Sequence, residues 1–260
     1  MIRVRNLVKT YGEFTAVNNI SFEVAEGEIF AFLGPNGAGK TTTVKMLTTL
    51  LRPDSGAITI DGLDPQTNAL EVRKRFGIVF QDSSTDDELT AYENMELHSI
   101  LYKVPRSVRA KRTETLLRLF DLWERRNDVL KAFSGGMRRR LEIARGLLHT
   151  PKILFLDEPT LGLDPQTRKS LWTHVEQLNR EERVTVFLTT HYMEEAELMA
   201  HRIGIIDYGR IVAQGTLEEL KLQTGAESLE KAFLALTGTT IREEPAAPPR
   251  GLRGRRRRNG

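Results

Sequence analysis

Eight residues, Gly34-Pro35-Asn36-Gly37-Ala38-Gly39-Lys40-Thr41, follow the apolar run Ile29-Phe30-Ala31-Phe32-Leu33 and precede a stretch with helical spacing, Thr42 to Leu51. Glycines let a backbone wrap so closely that its N–H groups converge on an anion, and a helix starting there adds partial positive charge at the same point. A lysine at the end of such a loop can reach the β- and γ-phosphates of a nucleotide, and the threonine hydroxyl beside it can ligate Mg²⁺. Alone, these letters could be an ordinary glycine loop. Flanked by a buried strand and a helix, Gly34 to Thr42 is a nucleotide-binding segment, with Lys40 on the phosphates and Thr41 on the metal.

Further polar residues stand at the ends of apolar runs. Phe76 to Phe80 ends at Gln81, Ile153 to Leu156 at Asp157-Glu158, and Val184 to Thr190 at His191. In open parallel sheets, ligands bind beyond the carboxyl ends of the strands, so these side chains are expected to converge with the glycine loop. Each alone would be a routine strand terminator. Asp157 and Glu158 are adjacent, so strand periodicity points them to opposite faces. Asp157 is expected to serve Mg²⁺ and Glu158 to polarise a water attacking the γ-phosphate. His191 is expected to position that water, and Gln81 to offer its amide oxygen to the metal or the water.

These residues need a scaffold. Short apolar runs alternating with helical stretches imply an α/β fold with a mostly parallel sheet. Residues 1–24 and 57–62 read as a small antiparallel layer, and Ile203 to Gln214, turning at Asp207-Tyr208-Gly209-Arg210, as a hairpin. Residues 87–150 carry almost no strand signal. Leu97, Ile100 and Leu101, then Leu116, Leu117, Phe120 and Leu122, mark this stretch as an inserted helical subdomain. Near its end, Ser134 of Phe133-Ser134-Gly135-Gly136-Met137 can cap a helix whose apolar face runs through Leu141, Ile143 or Ala144, Leu147 and Leu148. A Ser-Gly-Gly lead into a helix is also a second candidate anion site. If it is only a capped surface helix, Arg138, Arg139 and Arg140 form a solvated basic face.

Composition excludes several classes. The 260 residues contain no cysteine, which removes disulfides, zinc ribbons and iron–sulfur clusters. The N-terminal residues have no apolar signal region, and no run approaches the roughly 18 apolar residues of a membrane helix. The net charge of +3 hides an asymmetry: residues 241–260 hold seven arginines and two glutamates, a net +5, leaving −2 for residues 1–240. That Pro-, Gly- and Arg-rich tail is expected to be disordered.

With these motifs in this order, residues 1–238 closely resemble the ATP-binding subunits of ABC transporters. The glycine loop resembles the Walker A motif, Ile153 to Glu158 Walker B, FSGGM at Phe133 to Met137 the LSGGQ signature, and LGLD at Leu161 to Asp164 the D-loop. Gln81 matches the Q-loop, His191 the switch histidine, and Tyr11 the aromatic that stacks on adenine, although a packed strand-end tyrosine would look the same. FSGGMRRRLEIARGLL and, less closely, SLEKAFLALTG resemble the drug-export branch typified by daunorubicin resistance. Phe133 and Met137 depart from the usual Leu and Gln of the signature.

The resemblance implies a P-loop NTPase core with an antiparallel β layer and a helical insertion. Residues 1–240 would form one cassette: core from 1–86 and 151–217, helical subdomain 87–150, and C-terminal helices 218–240. It implies ATP and Mg²⁺ as cofactors and a head-to-tail homodimer. Ser134, Gly135, Gly136 and Asp164 of one copy would then complete the nucleotide site of the other. A separate multi-span permease would receive the force, placing the chain at the cytoplasmic face of the cell membrane, with drugs or other hydrophobic compounds as cargo. A soluble ABC ATPase acting on nucleic acid or the ribosome is the alternative. No coiled-coil spacer separates Thr41 from Ser134, only one cassette is present, and residues 1–240 are acidic, so no specific nucleic acid is expected. A GTPase would carry an NKxD motif, which is missing.

Overall fold

Every residue of Ile29–Leu33 is buried, because the strand is covered on both faces. Ile29, Ala31 and Leu33 join one apolar cluster and Phe30 and Phe32 another, as the two-residue period of a strand requires. The computed structural model describes residues 1–238. The Arg-rich tail read as disordered lies outside the described residues.

In chain order the strands are β1 (Ile2–Tyr11), β2 (Phe14–Val24), β3 (Ile29–Leu33), β4 (Ser55–Ile60), β5 (Phe76–Val79), β6 (Ile153–Asp157), β7 (Thr185–Thr190), β8 (Arg202–Asp207) and β9 (Arg210–Gly215). The helices are α1 (Lys40–Leu47), α2 (Ala69–Arg73), α3 (Ala91–Leu101), α4 (Arg106–Leu119), α5 (Gly135–Gly146), α6 (Pro165–Glu182), α7 (Met193–Met199), α8 (Leu217–Thr224) and α9 (Leu229–Thr237). The core sheet has the order β5-β6-β7-β3-β8-β9. Its first five strands pair in parallel, and β8 and β9 form the expected antiparallel hairpin. The antiparallel layer has the order β2-β1-β4. The mostly parallel α/β core, the β layer and the helical insertion are as the sequence implied.

The two sheets are joined by aromatic packing. Phe22 of β2 lies 5.5–5.7 Å, centroid to centroid, from Phe30 and Phe32 of β3 and Phe187 of β7. All four rings are buried, each contributing about 1.5–3 kcal/mol of transfer free energy. On the opposite face, Leu154, Leu156, Val186 and Leu188 meet the helices, including Leu141, Ile143, Ala144, Leu147 and Leu148 around α5.

One boundary and one apolar face differ from expectation. The helix after the glycine loop was expected over Thr42 to Leu51, but it runs from Lys40 to Leu47. Thr49 turns left-handed at φ 66° and ends it. In the helical insertion, Leu116, Leu117, Phe120 and Leu122 are buried, whereas Leu97, Ile100 and Leu101 are exposed. Their helical spacing marks an outward face of α3, capped at Thr90 by a reciprocal Thr90–Glu93 box.

Candidate functional site

The sheet order makes β5, β6, β7 and β3 consecutive neighbours, so the four strand ends singled out in the sequence adjoin. A cleft of about 510 Å³ opens beyond them, lined by Asn36, Gly37, Gly39, Lys40, Thr41, Thr42, Gln81, Glu158 and His191, with Tyr11 at its edge. That volume falls in the range of small-molecule sites. Gly39 supplies the turn into α1 at φ 105°, and a Cβ there would sit 2.4 Å from the Ala16 carbonyl oxygen. Only glycine allows the loop to lie this close to β2. Gly34 and Pro35 turn their carbonyls toward Lys40, whose Nζ donates to them at 2.7 and 3.1 Å. Ala38 is buried beneath the loop.

Asp157 and Glu158 correct the strand-periodicity expectation. β6 stops at Asp157, and Glu158 is left-handed at φ 48°. The chain therefore turns between the two carboxylates, and both serve the same end of the sheet instead of opposite faces. Glu158 Oε1 lies 2.9 Å from Lys40 Nζ, and its Oε2 lies 2.8 Å from His191 Nδ1. Burial pushes the Glu158 carboxyl up, but the His191 hydrogen bond and the Lys40 ammonium outweigh it and hold the group below the ordinary carboxylate range. Glu158 is thus an ionised carboxylate in a nearly closed setting, 8% exposed.

Asp157 sits in a different field. Its Oδ1 accepts from Thr189 Oγ1 at 2.6 Å and from Thr41 Oγ1 at 3.3 Å. Its Oδ2 is buried without a hydrogen-bond partner, and burial pushes the carboxyl up. An unpartnered buried carboxylate oxygen beside a threonine hydroxyl is a set of hard oxygen donors that a divalent cation satisfies. The residues fit Mg²⁺.

The segment ahead of His191 is held from below. The buried Glu195 carboxylate accepts from Thr190 Oγ1 at 2.7 Å and from Thr160 Oγ1, tying β7 to the turn after Glu158. The Arg168 guanidinium lies over the Tyr192 ring, 4.2 Å from its centroid, and that ring contacts His191.

Ser134, Gly135, Gly136 and Asp164 do not line the cleft. Ser134 caps α5, accepting from Met137 N at 3.3 Å, and Asp164 caps α6, accepting from Thr167 N at 3.0 Å. The two caps adjoin: a Cβ on Gly136 would lie 2.2 Å from the Thr167 methyl. Ser134, Gly135 and Asp164 are exposed, so these residues form a second polar surface on the same chain.

Sequence reasoning missed several residues. Phe14 lines the cleft with Tyr11, and the two are cross-strand partners at the β1–β2 turn, 62% and 48% exposed. The short Tyr11-Gly12-Glu13-Phe14 turn was the available signal. Arg139, solvated under the alternative of a plain capped surface helix, is 8% exposed and pairs with Glu142 at 2.9 Å. Their i, i+3 spacing within a helix could have shown the pair.

Comparisons with known proteins agree with this geometry. Residues 17–161 match the ABC transporter domain family. The chain is 42% identical over 252 residues to the daunorubicin resistance ATP-binding protein DrrA3 of Streptomyces coeruleorubidus, covering 92% of this chain and 79% of that protein. The solved structure of an ATP-binding subunit of an ABC transporter superposes with a TM-score of 0.82 at 30% identity, covering 91% of this chain and 99% of that one. A dimeric post-hydrolysis ATP-binding cassette, MJ0796, bound to ADP and Pi, superposes at 0.75 and 30% identity, covering 84% and 99%. On the family match, the 42% identity across most of both chains and the shared fold, the chain belongs to the ABC transporter family as an ATP-binding, ATP-hydrolysing cassette.

Proposed function

We propose that this cassette energises a membrane exporter of drugs or other hydrophobic compounds, closing as a head-to-tail dimer on ATP and reopening after hydrolysis. The observation that carries the dimer is the separation of the two polar surfaces. Lys40, Thr41, Gln81, Glu158 and His191 share one cleft, while Ser134, Gly136 and Asp164 lie outside it. A second copy related by a two-fold axis would bring the Ser134 surface of each chain to the cleft of the other.

Within one chain the roles follow from the contacts. Lys40 is already ion-paired at the end of the glycine loop, so a γ-phosphate oxygen accepting from Nζ competes with Glu158 Oε1 and frees that carboxylate for water. Glu158, held ionised, accepts the water's proton as the oxygen attacks the γ-phosphorus, whose bond to the bridging oxygen breaks so that ADP leaves with that electron pair. His191 donates Nδ1–H to Glu158, which leaves Nε2 for the phosphate or water. Thr41, Asp157 and the Gln81 amide would hold Mg²⁺, which when bound neutralises charge on the β- and γ-phosphate oxygens. Tyr11 stacks on the base. The DrrA3 resemblance supports drug export, and the same likeness supports a separate membrane permease and a peripheral location. No helix among the described residues is long and apolar enough to cross a membrane. The exposed Leu97, Ile100 and Leu101 of α3, following the segment after Gln81, offer the permease an apolar face. The cassette divides as core 1–86 and 151–217, helical subdomain 87–150 and C-terminal helices.

Complementation tests the composite site. Lys40→Ala and Ser134→Arg should each abolish ATPase activity alone. Mixed, they should recover activity, because one heterodimer site pairs an intact Lys40 with an intact Ser134. Mixtures that stay inactive while both variants still bind ATP would refute the dimer.

A further inference from the structure

Three residues of α5, Arg139, Glu142 and Arg145, recur every third position and so share one face of the helix. All three are spent on the backbone of the segment after β5. Arg139 donates from Nη1 to the Phe80 carbonyl at 2.5 Å and from Nη2 to the Gln81 carbonyl at 3.0 Å. The same Nη1 donates to Glu142 Oε2 at 2.9 Å, and Glu142 Oε1 accepts from Ser84 N at 3.2 Å. Arg145 donates to the Ser84 carbonyl at 2.7 Å and to its hydroxyl. Arg139 and Glu142 are 8% and 4% exposed. A buried ion pair contributes little to stability as such, and this one grips a loop instead of the apolar core.

The consequence is geometric. Gln81 is an exposed residue of the cleft wall, in a segment with no strand or helix of its own. Its backbone position is set by a planar guanidinium that binds two successive carbonyls at once. That guanidinium rides on the helix that Ser134 caps, five residues and roughly 7.5 Å of helical rise away. α5 is a single unbroken helix from Gly135 to Gly146, anchored by Leu141, Ile143 and Ala144, all fully buried.

We infer that Arg139, held by Glu142, is a positioning residue that fixes Gln81 in the cleft and ties its movement to the helix bearing Ser134. This rests on the proposed role of Gln81 in the reaction centre. Under that role, a shift of Gln81 toward or away from the γ-phosphate displaces the Ser134 end of α5, and the reverse. Lysine at position 139 keeps the charge against Glu142 but cannot span two carbonyls.

A double-mutant cycle on the full chain tests this, with ATPase kcat and KM and the thermal midpoint measured for Arg139→Lys, Glu142→Gln, Gln81→Ala and the combinations with Gln81→Ala. Gln81→Ala should lower kcat. Arg139→Lys should lower kcat on the order of tenfold with KM nearly unchanged, as misplacement of a catalytic group does. Glu142→Gln should act in the same direction. In the Gln81→Ala background Arg139→Lys should cost less than twofold, because the residue it positions is gone. Equal losses in both backgrounds would overturn the inference by making Arg139 merely structural, as would full activity of both Arg139→Lys and Glu142→Gln. An unchanged kcat for Gln81→Ala alone would overturn the role of Gln81 in the centre, and the inference with it, so the two failures are told apart.

Discussion

His191 Nδ1 stands 2.8 Å from Glu158 Oε2, while the other oxygen of the same carboxylate stands 2.9 Å from Lys40 Nζ. One carboxylate thus links the end of β7 to the lysine of the glycine loop. Removing its charge isolates its chemistry from its packing. Glu158→Gln keeps the shape and should bind ATP normally, lose ATPase activity on the order of a hundredfold or more, and accumulate as an ATP-bound dimer in size-exclusion chromatography. Turnover within a few-fold of the unmodified chain would remove Glu158 from the chemistry.

The orphaned Asp157 Oδ2 makes a metal-specific forecast. Asp157→Asn should raise the Mg²⁺ concentration needed for half-maximal ATPase activity at least tenfold, while ATP binding in EDTA changes little. A parallel loss of EDTA-insensitive binding would point to a folding defect at the strand end.

Tyr11 and Phe14 are paired across the β1–β2 turn and both are exposed at the cleft. If stacking binds the base, Tyr11→Ala should weaken ATP by about 1–3 kcal/mol, and Tyr11→Phe should be nearly silent, because the ring and not the hydroxyl acts. Fluorescent-nucleotide titration of both variants and of Phe14→Ala would show which ring carries the base. A silent Tyr11→Ala with a weakened Phe14→Ala would reassign it.

Stability should depend on pH through a site remote from the chemistry. The His98 ring is stacked on Tyr102, which stacks on His149, with centroid distances of 4.5 and 4.1 Å. Burial, with Arg145 and His149 nearby, draws the His98 pKa from the ordinary 6.5 down to about 3. Burial also lowers His149. Between these limits the unfolded chain binds a proton that the folded chain refuses. The contribution is therefore complete above the unfolded value and is lost as pH falls below it. The thermal midpoint should drop from pH 7 to pH 5, and His98→Gln should flatten that slope by about one proton. Parallel slopes for the two proteins would refute the assignment.

Much of this was legible in the order of residues. The glycine loop needs only local rules: a buried strand, glycines that admit close backbone approach, and a helix whose first turn holds Lys40 and Thr41. The convergence of Gln81, Asp157, Glu158 and His191 on the glycine loop followed from the principle that parallel strands open their carboxyl ends to ligands, and the order β5-β6-β7-β3 makes their three strands and that of the loop consecutive neighbours. Local periodicity failed where the backbone left its regular state. Glu158 adopts φ 48°, a conformation that alternation along a strand cannot anticipate, and this turn gives both carboxylates to one site. Nor could local periodicity show the burial of Arg139, which depends on a loop 58 residues earlier in the chain. Side-chain types and their spacing determined what chemistry this chain can perform. Only the tertiary structure decided which carboxylate meets Lys40, which oxygen is left for a metal, and that Ser134 lies outside the lining of its own chain's cleft, because each depends on contacts between segments far apart in sequence.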